Sequence, residues 1–359
     1  MKIISNLIIL LFISQFTFGQ SRAKKVDSIS QAIHTKNPEV AISIGFIDNG
    51  KEYFFNYGEI SRKSNLDVNE NTIYEIGSIT KLFTANLIAQ AQQEGKLKIN
   101  DFIESYLPNE YNLPEKIKGK IKISDLASHQ SGLPDFDFKK LMESKPNQPL
   151  DINKETIHSI INDSTELMDY GNYRYSNISY VLMGLIVEKV YAKDFETLVK
   201  EKILVAAQMT TTFTTDFKVK NRVSGYDING VEQEYFNWNS LTAPAGLLKS
   251  NTSDMTKLLK VLLSDEGQIS KATKITENTF YKNTQREVGF GQEIARSGDD
   301  TFFYKTGDTF SCSSIIAYDK KSNWGIIILI NQHNSDLIRD LFNTNYEQAL
   351  EKNPLLIRK

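Results

Sequence analysis

Ser78-Ile79-Thr80-Lys81 sets a hydroxyl and an amine three residues apart, a spacing that puts both on one face of a helix. A serine alone is a poor nucleophile. The lysine can act as its base only if burial or a second cation pulls its pKa down. A helix start would also leave the backbone N–H of Ser78 free to meet an oxyanion. The pattern occurs twice, because Ser21-Arg22-Ala23-Lys24 fits as well, but Gly77 ahead of Ser78 permits close approach of backbone and substrate. The plainer reading of Ser78 is a helix N-cap with Lys81 in solvent.

Lys305-Thr306-Gly307 occurs once, after Phe302-Phe303-Tyr304. At a sheet edge, an amine, a hydroxyl and a glycine can hold a substrate carboxylate while the backbone pairs with the substrate as an added strand. Lys305 would also be the second cation that Lys81 needs. The competing reading is an edge lysine that discourages aggregation. Tyr175-Ser176-Asn177 is the third element. Tyr-x-Asn recurs at Tyr170, Tyr235 and Tyr281, but only Asn177 opens a strongly apolar helix, which fixes Tyr175 at its start. Beside two lysines, this tyrosine is expected to lose its proton more readily than in water and to pass a proton to a leaving group.

Other chemistries are excluded by composition. The 359 residues hold one cysteine and four histidines, so no intramolecular disulfide, thiol pair or zinc spacing exists, and no metal or cofactor is expected. With 42 basic against 44 acidic side chains and no basic run, nucleic acid is not an expected partner. Residues 7–13 form an apolar run of signal-peptide length, too short to span a bilayer, with cleavage expected before Gln20. An uncleaved anchor is the rival. The expectation is an exported protein, periplasmic or secreted, with no integral membrane segment after cleavage.

The elements that must position these groups read as sheet, long helical middle, sheet, helix. Val40 to Phe46 and Tyr53 to Tyr57 flank Asp48-Asn49-Gly50, a hairpin signal. Helices are expected from Ser78 to Glu94, after Ser124, and over Asn177–Tyr191, Phe195–Val205, Ser253–Leu263 and about Asp336–Leu350. Strands are expected at Thr301–Tyr304, Ser314–Tyr318 and Trp324–Ile330. The two ends of the chain should therefore pair in one antiparallel sheet, with the middle inserted as a helical lobe and the site between them.

Tyr74-Glu75-Ile76-Gly77-Ser78-Ile79-Thr80-Lys81, Ser128-His129-Gln130-Ser131-Gly132-Leu133-Pro134, Tyr175-Ser176-Asn177, Ala243-Pro244-Ala245-Gly246-Leu247 and Lys305-Thr306-Gly307, in this order, resemble the serine β-lactamase superfamily of class C type. That family includes class C β-lactamases, D-alanyl-D-alanine peptidases and related esterases. The resemblance implies an α/β sandwich, an antiparallel sheet flanked by helices, with an inserted all-helical lobe. A signal peptide would cover residues 1–19 and one hydrolase domain residues 20–359, its sheet lobe about 20–66 and 238–359, its helical lobe about 67–237.

By the same resemblance, Lys81 with Tyr175 takes the proton of Ser78, which attacks an amide, lactam or ester carbonyl. Backbone N–H groups of Ser78 and Asp308 hold the oxyanion, and Tyr175 protonates the leaving nitrogen. Lys305 completes the catalytic set, and Asn177, Thr306, Gly307 and Asp308 contact substrate. No Glu-x-x-Leu-Asn segment is present, which argues against a class A route.

Departures bear on substrate. Asp135-Phe136 stands where class C enzymes carry a Gln that holds the acylamide side chain, and Asp308 replaces a small residue. Asp308 would repel a substrate carboxylate if it pointed inward, whereas Lys305, Asn334 and Arg339 would attract one. The expected substrate is a small molecule or a peptidoglycan stem. The leading expectation is a β-lactamase or D-Ala-D-Ala peptidase; the alternatives are a carboxylesterase of the same superfamily and a penicillin-binding module that does not turn over.

Overall fold

The computed structural model describes residues 22–137, 152–162, 166–213, 219–235 and 241–352; the expected signal segment lies outside them. Ile42–Asp48 (β1) and Lys51–Tyr57 (β2) form the expected hairpin, closed by Asn49 and Gly50 at φ 51° and 80°, the turn that matches strand twist. Near the end of the chain come Tyr281–Lys282 (β3), Glu287–Val288 (β4), Glu293–Ser297 (β5), Asp300–Asp308 (β6), Ser313–Asp319 (β7) and Trp324–Ile330 (β8). They join the hairpin in one antiparallel sheet of order β2-β1-β8-β7-β6-β5-β4-β3, with Ile42 opposite Ile330. The two ends of the chain thus pair as expected. Strands β3 to β5 were not anticipated, because two are only two residues long and carry no alternating pattern to read.

Every residue of β1, β7 and β8 is buried, since both faces of the sheet are covered. On one face, residues 22–36 (α1) and Ser335–Thr344 (α6) bring Val26, Ile33, Leu337 and Leu341 against Ile44, Phe46, Ile326 and Ile328. The other face packs Ile316, Ile327 and Leu329 into a core shared with Thr80–Gln93 (α2), Asn177–Tyr191 (α3) and Thr252–Leu263 (α4). Gly267–Thr276 (α5), another helix not anticipated, packs on α2. Among the described residues no helix is long and apolar enough to cross a membrane.

The start of α2 differs from the expectation. Ser78 lies in a three-residue 3-10 turn, Gly77–Ile79, and the α-helix begins at Thr80. Gly77 sits at φ 51°, a left-handed conformation that tightens the chain immediately before Ser78. From Thr80 to Ala91 every residue is buried, so α2 is a central helix with no solvent face on which Lys81 could lie.

Candidate active site

Pairing of β6 with β5 ends at Tyr304 opposite Glu293, and beyond it Lys305 to Asp308 pair with β7 alone among the described residues. Across this open edge runs Ile76-Gly77-Ser78. The crossing is tight enough to need two glycines. A Cβ on Gly307 would stand 2.1 Å from the Ile76 carbonyl oxygen and 3.0 Å from Ser78 N, and one on Gly77 would stand 2.8 Å from Asp308 N. Ser314 Oγ donates to the Ile76 carbonyl at 2.9 Å and Thr80 Oγ1 to that of Gly77 at 2.7 Å, which anchors the crossing.

Two backbone donors meet there. Thr309 N donates to Cys312 O at 2.9 Å, so by strand alternation the Asp308 N–H points away from β7, toward the crossing. Ser78 N–H lies in the first helical turn, where no carbonyl of the helix can accept it.

Ser78 Oγ lies 2.6 Å from Tyr175 Oη and 3.1 Å from Lys81 Nζ. Lys81 is fully buried and donates to Asn177 Oδ1 at 2.9 Å and Ala245 O at 2.5 Å. Lys305 is 4% exposed, and its Nζ and that of Lys81 each lie 5.0 Å from the Tyr175 ring centroid. Ser78, Tyr175, Asn177, Lys305, Thr306 and Asp308 line a cavity of about 430 Å³. The structure therefore brings Ser78, Lys81, Tyr175, Asn177, Lys305, Thr306 and Asp308 to one place, Gly307 at the crossing included, but not Asn334 and Arg339. Ser78 makes no helix-capping bond, which removes the N-cap reading.

Electrostatics set the protonation pattern. Burial first, and then the charge of Lys305, holds Lys81 well below the usual lysine range, while Asp135 acts in the opposite sense. Lys305 is brought down to about 8, chiefly by burial. Tyr175 corrects the sequence expectation. It keeps 38% of its surface open to the cleft, yet burial of its phenol among protein atoms pushes it above the usual tyrosine range; the Ser78 hydrogen bond opposes this only in part. The carboxylates of Asp135, Asp308 and Glu293 push the phenol further up. Lys81 is thus the natural proton acceptor and Tyr175 a donor.

Asp308 does not point at Lys305. Its side chain turns toward the start of α6, where it accepts from Ser313 Oγ at 2.5 Å and Ser335 Oγ at 3.0 Å. A second cavity of about 440 Å³ opens on that side, reached past Thr306. Asn334 and Arg339 are engaged within α6: Asn334 Oδ1 caps Leu337 N at 3.0 Å, and Arg339 pairs with Asp336.

Three contributors were not legible as such. Ala245 acts through its carbonyl, which no side-chain pattern reports. His129, at φ 63°, is buried behind Tyr175 with ring centroids 4.6 Å apart, and its Nδ1 accepts from Ser176 N at 3.2 Å. Burial, then Lys305, Lys81 and Arg286, hold it well below the usual histidine range, so it supports Tyr175 as a neutral ring. Asp135, noted only as a departure, holds the start of α3.

A sequence model of the Beta-lactamase family matches residues 29–349. The chain belongs to this family. Among relatives, it is 26% identical over 328 residues to Protein flp of Staphylococcus aureus (strain NCTC 8325 / PS 47), covering 86% of this chain and 63% of that protein. The family member described here thus spans less than two thirds of that relative's length. It is 24% identical over 346 residues to a Beta-lactamase of Psychrobacter immobilis, covering 86% and 83% of the two chains. Its fold matches that of the Beta-Lactamase/D-Alanine Carboxypeptidase from Pseudomonas syringae with a TM-score of 0.76 at 21% identity, over 95% of this chain and 100% of the other. The β-lactamase/transpeptidase-like fold expected from the sequence is the fold observed.

Proposed function

We propose that this protein is a serine hydrolase working through an acyl-enzyme on amide or lactam bonds, as a class C β-lactamase-like enzyme or a penicillin-binding D-Ala-D-Ala peptidase. One observation carries the reading: Ser78 Oγ lies within reach of both Lys81 Nζ and Tyr175 Oη, beside two convergent backbone N–H groups. Family membership, and the names of the relatives, support it.

In this reading neutral Lys81 takes the Ser78 proton as Oγ bonds to the carbonyl carbon. The carbonyl electron pair moves onto oxygen, where the N–H groups of Ser78 and Asp308 stabilise it. As the tetrahedral centre collapses, Tyr175 gives its proton to the leaving nitrogen and recovers one from Lys81. Water then attacks the ester carbonyl, and Ser78 is released with its proton restored. Lys305 and Thr306 would hold a substrate carboxylate. A carboxylesterase is the second reading, favoured by Asp308, which with Thr306 borders both cavities and would repel an anionic leaving group there. Residues 7–13 support export to the periplasm or medium, and a mature N-terminus at Gln20 would be its signature.

Intact-mass measurement after mixing with penicillin, a D-Ala-D-Ala peptide and a short acyl ester tests the reading. A covalent adduct, transient or stable, that is lost in Ser78→Ala supports it; no adduct and no hydrolysis of any of the three would refute it.

A further inference from the structure

Asp135 gathers four donors on one carboxylate: Asn177 N at 2.8 Å and Asn177 Nδ2 at 3.1 Å on Oδ2, and Ile178 N at 3.0 Å and Phe136 N at 2.9 Å on Oδ1. Two of these are orphan N–H groups of the first turn of α3, and an ordinary helix cap would account for them. The side-chain donor, Asn177 Nδ2, is different. A side-chain amide has one donating end and one accepting end, and a carboxylate at this spacing accepts only. By binding Nδ2, Asp135 leaves Asn177 a single orientation, with Oδ1 turned to Lys81 Nζ at 2.9 Å.

The consequence falls on the lone pair of the amine. Neutral Lys81 has two N–H bonds and one lone pair. Its three partners are Asn177 Oδ1, Ala245 O and Ser78 Oγ, and the first two can only accept. Both hydrogens are taken by these acceptors, so the lone pair is left for the hydroxyl hydrogen of Ser78. A flipped Asn177 would offer Lys81 a donor, compete for that lone pair and leave one amine hydrogen for Ser78, which is the wrong polarity for a base.

We propose that Asp135 is a positioning residue that keys the amide of Asn177 and thereby aims the lone pair of Lys81 at Ser78. The inference rests on the acyl-enzyme reading above. Asp135→Asn is the informative variant. It is isosteric, and because Oδ1 accepts two backbone N–H groups against one on Oδ2, its NH₂ group falls where Asn177 Nδ2 now finds an acceptor and so favours the flipped amide.

The experiment follows acylation of the full-length protein by an activated phenyl ester, against pH, in the wild type, Asp135→Asn, Asn177→Ala and the double variant. Asp135→Asn should slow acylation about tenfold or more while KM moves less than about twofold. In the Asn177→Ala background the same change should have almost no effect, because the relay is already cut. The charged and titratable groups facing Lys81 are Lys305 on β6, Tyr175 and Tyr180 at α3, and Asp135 itself. Asp135 is the group there that favours the protonated amine, so its neutralisation should also move the acid limb of the profile to lower pH.

Wild-type acylation rates in Asp135→Asn, or losses that multiply in the double variant, would overturn the proposal. If Asp135→Asn folds poorly, Asp135→Ser keeps a capping oxygen for α3 and is judged by the same two criteria. Failure of the wild type to acylate at Ser78 would count against the acyl-enzyme reading instead, and the adduct mass separates the two.

Discussion

At the residue scale, the proposed chemistry rests on a hydroxyl beside an amine whose pKa burial lowers. Ser78→Ala should remove acylation altogether, and Lys81→Ala should lower it about a thousandfold at neutral pH, both read by single-turnover mass spectrometry. The pH dependence has a definite sign. On the proposed mechanism Lys81 works as the neutral amine, so activity should rise as it deprotonates, with a limb to the acid side of an ordinary lysine. On the same proposal Lys305 binds as the cation. With its pKa near 8, KM for a carboxylate-bearing substrate should climb above that pH, up to about tenfold per unit, while KM for an uncharged ester stays flat. A parallel rise for both substrates would show that Lys305 does not bind the carboxylate. The residue types themselves were legible in the sequence. The proton inventory of Tyr175 was not, because it depends on how completely the fold strips water from the phenol.

At the scale of elements, the proposed oxyanion donors are neighbours because β6 and the turn before α2 cross at backbone contact distance. Gly307→Ala inserts a methyl group 2.1 Å from the Ile76 carbonyl, so the strands must separate. Such overpacking costs about 1–3 kcal/mol of stability. Losing alignment of one N–H donor should lower kcat about a hundredfold or more. Thermal melting and ester turnover measured together check both; a variant with lowered stability but full turnover would show that the crossing does not set the donors. Lys-Thr-Gly read as a strand end in the sequence, and its glycine as part of a motif. What the glycine faces was not readable, since Ile76 and Gly307 lie more than two hundred positions apart. Likewise α3 was found at its true bounds from its apolar run. Asp135, 42 residues upstream, could be seen only as a departure until the loop and the helix start were in contact.

For the whole molecule, the inner face of the sheet and helices α2 and α3 share one hydrophobic core, so the two halves of the cleft should unfold together. Cys312 reports on this. It is fully buried beside the crossing, and burial pushes its thiol up to about 12, which makes it inert in the native state. Labelling by a thiol reagent in rising urea should therefore track loss of turnover with one midpoint; early labelling with turnover intact would mean that the β6–β7 hairpin opens by itself.

The sequence alone showed which groups could react, that it holds no metal-ligand or thiol-pair spacing, and that strands from both ends of the chain would share a sheet. These follow from residue type, local spacing and hydrophobic pattern, which are properties of neighbours in the chain. Tertiary structure alone decided that Lys81 meets Ser78, Asn177 and Ala245 at one point, that burial raises the Tyr175 phenol, and that Asp308 turns toward α6. Each of these depends on desolvation and on hydrogen bonds between segments far apart in sequence, and those interactions exist only once the chain has folded.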